Sequence, residues 1–208
     1  MNICVYGASS NEINEKYIAE TEKLGLELAK RGHGLVFGGG GQGLMGAAAR
    51  GVKQGGGKIV GVVPSFLNVD GIIYDKCDEL IFTETMRERK QIMEDRSDAF
   101  IVTPGGFGTF EEFFEILTLK QLNRHKKPIV ILNILNYYDE LERFVLKSID
   151  EKFIKPSCRR LFEFFSDHKA ALDYIDSYVP IDYEIGEMRD VESPFAFDMF
   201  EKKEDKPL

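Results

Sequence analysis

The sequence predicts an α/β protein: a doubly wound parallel sheet with helices on both faces, folded as a single domain. Three observations carry that expectation. Short unbroken apolar runs such as Ala99–Val102 recur along the chain, the pattern of strands buried on both faces of a parallel sheet. Stretches with apolar residues at helical spacing separate them. Two strand-to-helix turns, at 38–46 and 104–109, are rich in glycine. With 208 residues the chain is long enough for one full core, and 20 glycines beside 43% hydrophobic residues fit a globular α/β chain rich in tight turns.

In chain order, 2–6 is a first strand and Gly7-Ala8-Ser9-Ser10 the turn after it. Tyr17, Thr21, Leu24 and Leu28 form a helical stripe that stops near Gly32. Strand 34–37 runs into Gly38-Gly39-Gly40-Gly41-Gln42-Gly43-Leu44-Met45-Gly46, followed by a small-residue helix through Val52. Strand 59–63 is closed by Pro64, 65–77 is an irregular excursion, and 79–83 is a fourth strand. A helix over 84–96 places Met86, Arg89, Lys90 and Met93 on one side, either as a solvated charged face or beside the second glycine-rich loop. After the central strand 99–102, Phe110, Phe113, Phe114, Leu117 and Gln121 mark a helix. A strand at 129–132, a loop at 133–138, a helix at 139–151, a short strand at 162–165 and a last helix at 167–178 complete a domain spanning 1–178. Residues 179–208 read as an acidic tail, mobile or lying across a partner subunit.

The net charge of −8 argues against nucleic-acid polymers and anionic membranes as partners, since both demand clustered Lys and Arg. Cys4, Cys77 and Cys158 are widely separated, with neither metal-ligand spacing nor an even disulfide set. With no leader or membrane-spanning run expected, a soluble cytoplasmic protein follows. His33, His125 and His168 sit near helix ends and read as capping or surface residues. The turn Gly7-Ala8-Ser9-Ser10 lacks the dinucleotide glycine pattern, so no bound cofactor is expected, and no metal cluster stands out.

Pro104-Gly105-Gly106-Phe107-Gly108-Thr109 leads directly into a helix N-terminus, where glycine backbone and unpaired N–H donors suit a phosphate. Thr109-x-x-Glu112 also reads as a capping box, in which each side chain satisfies the other residue's backbone donor. A carboxylate beside a phosphate cradle points instead to chemistry at a sugar carbon, where positive charge develops.

The segments 38–46, Met86-Arg87-Glu88-Arg89-Lys90, Ser97-Asp98-Ala99-Phe100 and 104–112 resemble the LOG (Lonely Guy) family of cytokinin riboside 5′-monophosphate phosphoribohydrolases, formerly mislabelled lysine decarboxylases. Nothing in the sequence supplies a recognisable pyridoxal-phosphate site for the older label. The resemblance implies a Rossmann-like homodimer whose site takes residues from both subunits. It implies Glu112 as the catalytic carboxylate and Arg89 as its partner. Substrate contacts are expected from Gly39, Gly40, Met86, Lys90, Gly105, Gly106, Phe107, Gly108, Thr109, Glu111 and Thr118. The implied reaction is hydrolysis of the N-glycosidic bond of an N6-substituted adenosine 5′-monophosphate. A broad nucleoside-monophosphate nucleosidase and a non-catalytic nucleotide sensor or carrier are the alternatives. Three features depart from the family pattern: Arg87 for a usual His, Asn136 for a usual loop glycine, and a longer tail after Tyr178.

Overall fold

The structure, a computed structural model, describes residues 1–69 and 71–189. Seven strands, β1 (Asn2–Tyr6), β2 (Gly34–Phe37), β3 (Ile59–Pro64), β4 (Glu79–Thr83), β5 (Ala99–Val102), β6 (Ile129–Leu132) and β7 (Glu163–Phe165), make one parallel sheet in the order β4-β3-β2-β1-β5-β6-β7. The unbroken apolar runs of β2, β3, β5 and β6 are buried at every position, because helices cover both faces. Only edge strand β4 alternates, leaving Leu80 and Phe82 exposed.

One face is covered by α1 (Glu15–Lys30), α2 (Gly43–Gln54) and α6 (His168–Asp176), through Leu24, Leu28, Ala48, Val52, Leu172 and Ile175. The other is covered by α3 (Met86–Asp95), α4 (Phe107–Gln121) and α5 (Asp139–Asp150), through Met93, Phe113, Ile116 and Val145. Helices α1 and α2 pack backbone to backbone: a Cβ at Gly25 would lie 2.2 Å from the Ala48 carbonyl oxygen. From β1 the chain winds outward through β2, β3 and β4, and beyond β5 it winds the opposite way through β6 and β7. The loops after β1 and β5 therefore diverge at a topological switch point, where doubly wound sheets bind ligands.

A Thr-x-x-Glu capping box is present, but on α3: Thr85 Oγ1 accepts from the Glu88 N–H and the Glu88 carboxylate accepts from the Thr85 N–H. Nor is the α3 stripe a solvated face. Arg89 and Met93 are buried, Lys90 is largely covered, and only Met86 stands half exposed.

The helix that begins at His168 is not the last, since α7 (Ile185–Met188) follows it. Residues 179–189 run back over the end of α4. Tyr183 and Met188 are buried, the Tyr183 hydroxyl donates to the Lys120 carbonyl, and Gln121 Nε2 and Cys158 Sγ donate to the Met188 carbonyl at 3.1 and 3.2 Å. The rest of the tail, 190–208, lies outside the described residues. No helix among the described residues is long and apolar enough to cross a membrane.

Candidate active site

The switch point is built from β5 and the segment behind it. Thr103 folds back on β1, its N–H and hydroxyl both donating to the Tyr6 carbonyl at 2.8 and 2.9 Å. Gly7 lies so close that a Cβ there would sit 2.2 Å from Thr103 Oγ1. Helix α4 then starts at Phe107 with Gly106 as its N-cap, and no side chain caps it. Thr109 is already inside the first turn, buried against Gly105, so it cannot act as a cap; the capping-box alternative is overturned. A Cβ at Gly106 or Gly108 would meet nothing within 4 Å, so the uncapped donors open onto free space.

The α2 terminus differs. Its first N–H groups are taken: Gly43 by Asn11 Oδ1 at 2.8 Å, and Leu44 and Met45 by the Ala8 carbonyl at 2.8 and 3.4 Å. The two glycine-rich turns therefore do different work. The turn at 38–46, with the excursion after β3, walls an apolar cavity of about 330 Å³. Gly38–Gly40, Met45, Val63, Leu67 and Ile73 line it, with Ser9, Gln42 and Arg89 as its polar side chains. The excursion is held over the turn by Gly41 N–H to the Ile72 carbonyl and Tyr74 N–H to the Gly39 carbonyl, each 2.8 Å. Gly39 adopts φ +76°, and a Cβ there would lie 2.2 Å from Val63 Cγ2.

Between cavity and cradle sits a buried ion pair. Arg89 is 7% exposed and Glu112 9%; Arg89 Nη1 donates to Glu112 Oε1 at 2.9 Å, while Nε donates to the Val62 carbonyl at 3.1 Å. The third nitrogen, Nη2, fills the space a side chain at Gly38 would need, 1.9 Å from the Cβ position. Burial pushes the Glu112 carboxyl above the ordinary range, and the charge and hydrogen bond of Arg89 pull it back. The bond engages one oxygen only, since Oε2 carries no hydrogen bond among the described residues.

Lys90, one residue on, bridges α3 to α4 through Glu111 and Glu115, the latter at 2.7 Å. Burial lowers its proton affinity, but the two carboxylates outweigh that and hold Lys90 above the usual lysine range. Of the remaining sequence-predicted residues, Phe107 projects into solvent, 92% exposed, and Met86 stands at the start of α3. Thr118 is exposed and lines a separate cavity of about 160 Å³ with Phe114, Leu117 and Gln121, away from the Arg89–Glu112 pair.

Two of the three histidines, His33 and His125, are buried and not at the surface as the sequence suggests, because each has a polar partner. His33 Nε2 lies 2.7 Å from Asp176, and buried His125 Nε2 lies 2.8 Å from the Ile116 carbonyl, its pKa pushed down to about 4 by burial. A larger depression of about 470 Å³, lined by Met1, His33, Lys58 and Asp98 among others, opens at the amino ends of the strands, opposite the switch point. Sequence reasoning missed the cavity wall of Ser9, Val63 and Ile73, which carries no local signal.

A family model described as possible lysine decarboxylase matches residues 45–175. The rice protein LOGL9, named probable cytokinin riboside 5′-monophosphate phosphoribohydrolase, is 40% identical over 179 residues, 86% of this chain and 79% of its own. Arabidopsis thaliana LOG2, a cytokinin riboside 5′-monophosphate phosphoribohydrolase by name, is 38% identical over 86% of this chain and 84% of its own. Among solved structures, the molybdenum cofactor carrier protein of Chlamydomonas reinhardtii superposes with a TM-score of 0.64 at 27% identity, over 84% of this chain and 94% of that one. The molybdenum cofactor binding protein of Rippkaea orientalis shares the fold at 23% identity and a TM-score of 0.64, over 85% and 94%. On the family match and the identity to these relatives, the chain belongs to the LOG family, whose curated members are named cytokinin riboside 5′-monophosphate phosphoribohydrolases.

Proposed function

We propose that the chain hydrolyses the N-glycosidic bond of N6-substituted adenosine 5′-monophosphates, releasing the free base and ribose 5-phosphate. The observation that carries this reading is the buried Arg89–Glu112 pair, about a turn and a half along the helix whose N-terminus offers uncapped donors. The 5′-phosphate rests on the N–H groups of Gly106, Gly108 and Thr109. The ribose then spans toward Glu112, and the base enters the cavity behind the 38–46 turn, whose apolar wall suits an aliphatic N6 substituent. As the C1′–N9 bond breaks, its electron pair goes to the purine and C1′ gains oxocarbenium character. Ionised Glu112 stabilises that charge and takes a proton from the attacking water, whose oxygen bonds to C1′; the purine takes up a proton from solvent as it leaves, and Glu112 returns its own to solvent, so the step balances. Arg89 keeps Glu112 ionised and aimed.

The same reading places the enzyme in the cytoplasm, where its three free cysteines persist as thiols, and makes it a homodimer. Phe114 and Thr118 share an exposed face of α4, while Phe153 after α5 is 86% exposed, an apolar surface that a second copy would cover. A second reading is favoured by the 27% identity to a molybdenum cofactor carrier: a site that holds a nucleotide without cleaving it. Chromatographic product analysis with AMP and N6-isopentenyladenosine 5′-monophosphate separates them. Free base with ribose 5-phosphate supports hydrolysis; binding of both nucleotides with neither cleaved supports the carrier.

A further inference from the structure

We infer that Tyr137 is a positioning residue that fixes the direction of the phosphate-binding donors, an assignment that rests on the phosphate cradle proposed above. Every carbonyl of Thr103-Pro104-Gly105 is pinned from behind. The Tyr138 hydroxyl donates to the Thr103 carbonyl at 2.8 Å, the Ala8 N–H to Pro104 at 3.0 Å, and the Tyr137 hydroxyl to Gly105 at 2.7 Å. A trans peptide sets each carbonyl antiparallel to the next residue's N–H. Holding the Gly105 carbonyl back toward Tyr137 therefore turns the Gly106 N–H forward, into the open space before α4. That peptide joins two glycines, the residues that resist a flip least, so the bond is what selects its orientation. A flipped carbonyl would present negative charge to the phosphate.

The loop that delivers Tyr137 is held in an unfavourable backbone. Leu135 and Asn136 both adopt left-handed φ, 53° and 61°, inside a 3-10 turn after β6. Such geometry persists only where surroundings enforce it and is a reason to look for function. Here the enforcing contacts are in place. Asn133 Oδ1 accepts the Tyr138 N–H at 2.6 Å, Asn133 Nδ2 donates to Asp139 at 2.8 Å, and the Tyr137 ring meets Tyr17 and Tyr138 edge to face. Buried Tyr138 anchors the loop, while half-exposed Tyr137 reaches the Gly105–Gly106 peptide. Asparagine is among the side chains that tolerate the left-handed φ at position 136 best.

Calorimetry with ribose 5-phosphate as ligand tests the assignment apart from turnover. Tyr137→Phe keeps the ring contacts and removes only the hydroxyl. It should weaken ribose 5-phosphate about tenfold and raise KM for the 5′-monophosphate similarly, with kcat and the kcat/KM for the matching nucleoside little changed. Asn136→Val, a β-branched residue in a left-handed position, should reproduce that pattern with the hydroxyl present, and Asn136→Gly should match wild type. Unchanged ribose 5-phosphate affinity in Tyr137→Phe would overturn the positioning role and leave the proposed reaction standing. A wild-type protein with no affinity for ribose 5-phosphate would overturn the cradle itself, and this role with it.

Discussion

Gly38→Ala perturbs the centre of the proposed site without deleting either charge. Its added Cβ would lie 1.9 Å from Arg89 Nη2, against a normal contact of about 3.4 Å, so the guanidinium must retreat by about 1.5 Å or the backbone must yield. Retreat is restricted, because Nε is bonded to the Val62 carbonyl and Nη1 to Glu112 at 2.9 Å. A shift of that size lengthens or misaligns one of the two bonds beyond useful hydrogen-bond range. A misplacement of about 1 Å in a positioned catalytic group costs on the order of a hundredfold, and the same is expected in kcat/KM here. Loss of the charge-assisted bond from Arg89 also removes the pull that opposes burial, so the Glu112 pKa should rise further. The pH sign follows. Burial already holds that pKa above the ordinary carboxylate value, so the active anion is lost as pH falls through the raised pKa. In the variant this acidic limb should move to still higher pH. The assay is kcat/KM against pH for both proteins, with circular dichroism to confirm folding. A variant within threefold of wild type, with the limb unmoved, would refute the claim that Arg89 must sit against Gly38 to hold Glu112.

Glu112→Gln should keep nucleotide affinity and lose at least about a hundredfold in kcat, measured by base release; turnover within a few-fold of wild type would remove the carboxylate from the reaction. AMP-type nucleotides should exceed their nucleosides in kcat/KM by on the order of a hundredfold or more, compared in one buffer, because a dianion meets uncapped donors at α4. Light scattering should show a dimer, and Phe114→Lys should shift it toward monomer with loss of activity. Lys120, 1% exposed with its ammonium against Tyr178, has its pKa pushed down from 10.5 to about 8 by burial. The folded state binds fewer protons than the unfolded chain between those values, so the penalty, about 3 kcal/mol, is fully present below pH 8 and fades as pH rises. Lys120→Met should therefore be the more stable protein at pH 7 in urea unfolding, with the difference shrinking by pH 10.

The strands and both glycine turns were legible because buried parallel strands and tight turns leave signals in consecutive residues. The pairing of Arg89 with Glu112 came from the family resemblance and not from the residues themselves, since nothing local says that an Arg in a charged helix turns inward. Two Thr-x-x-Glu patterns show the limit clearly. The one at Thr85 caps α3 because the chain leaves β4 there in extended conformation. The one at Thr109 does not cap, because the preceding glycines have already started the helix at Phe107. Likewise, both glycine turns lead into helix N-termini, yet only the second has free donors. The difference lies in Asn11 and Ala8, which reach the first from the other side of α1, and no reading of 38–46 alone reveals them.

Why the site needs three distant segments to hold one carboxylate follows from where Glu112 stands on α4. The helix dipole assists an anion only within the first turn, the place that the proposed reading gives to the phosphate. Glu112, further along and buried, gets little from the dipole, and a lone buried carboxylate would take up a proton. Arg89 opposes that push by charge and hydrogen bond: α3 brings it, the Val62 carbonyl orients the guanidinium, and Gly38 leaves room for it. Because Arg89 takes only Oε1, the pair is neutral enough to bury and still presents Oε2 with no partner to satisfy it. A substrate suited to this arrangement carries a dianion at one end and develops positive charge about a turn and a half of helix away. On the proposed reading a nucleoside 5′-monophosphate losing its base meets both demands, and in a protein of net charge −8 its attraction would be confined to those few donors.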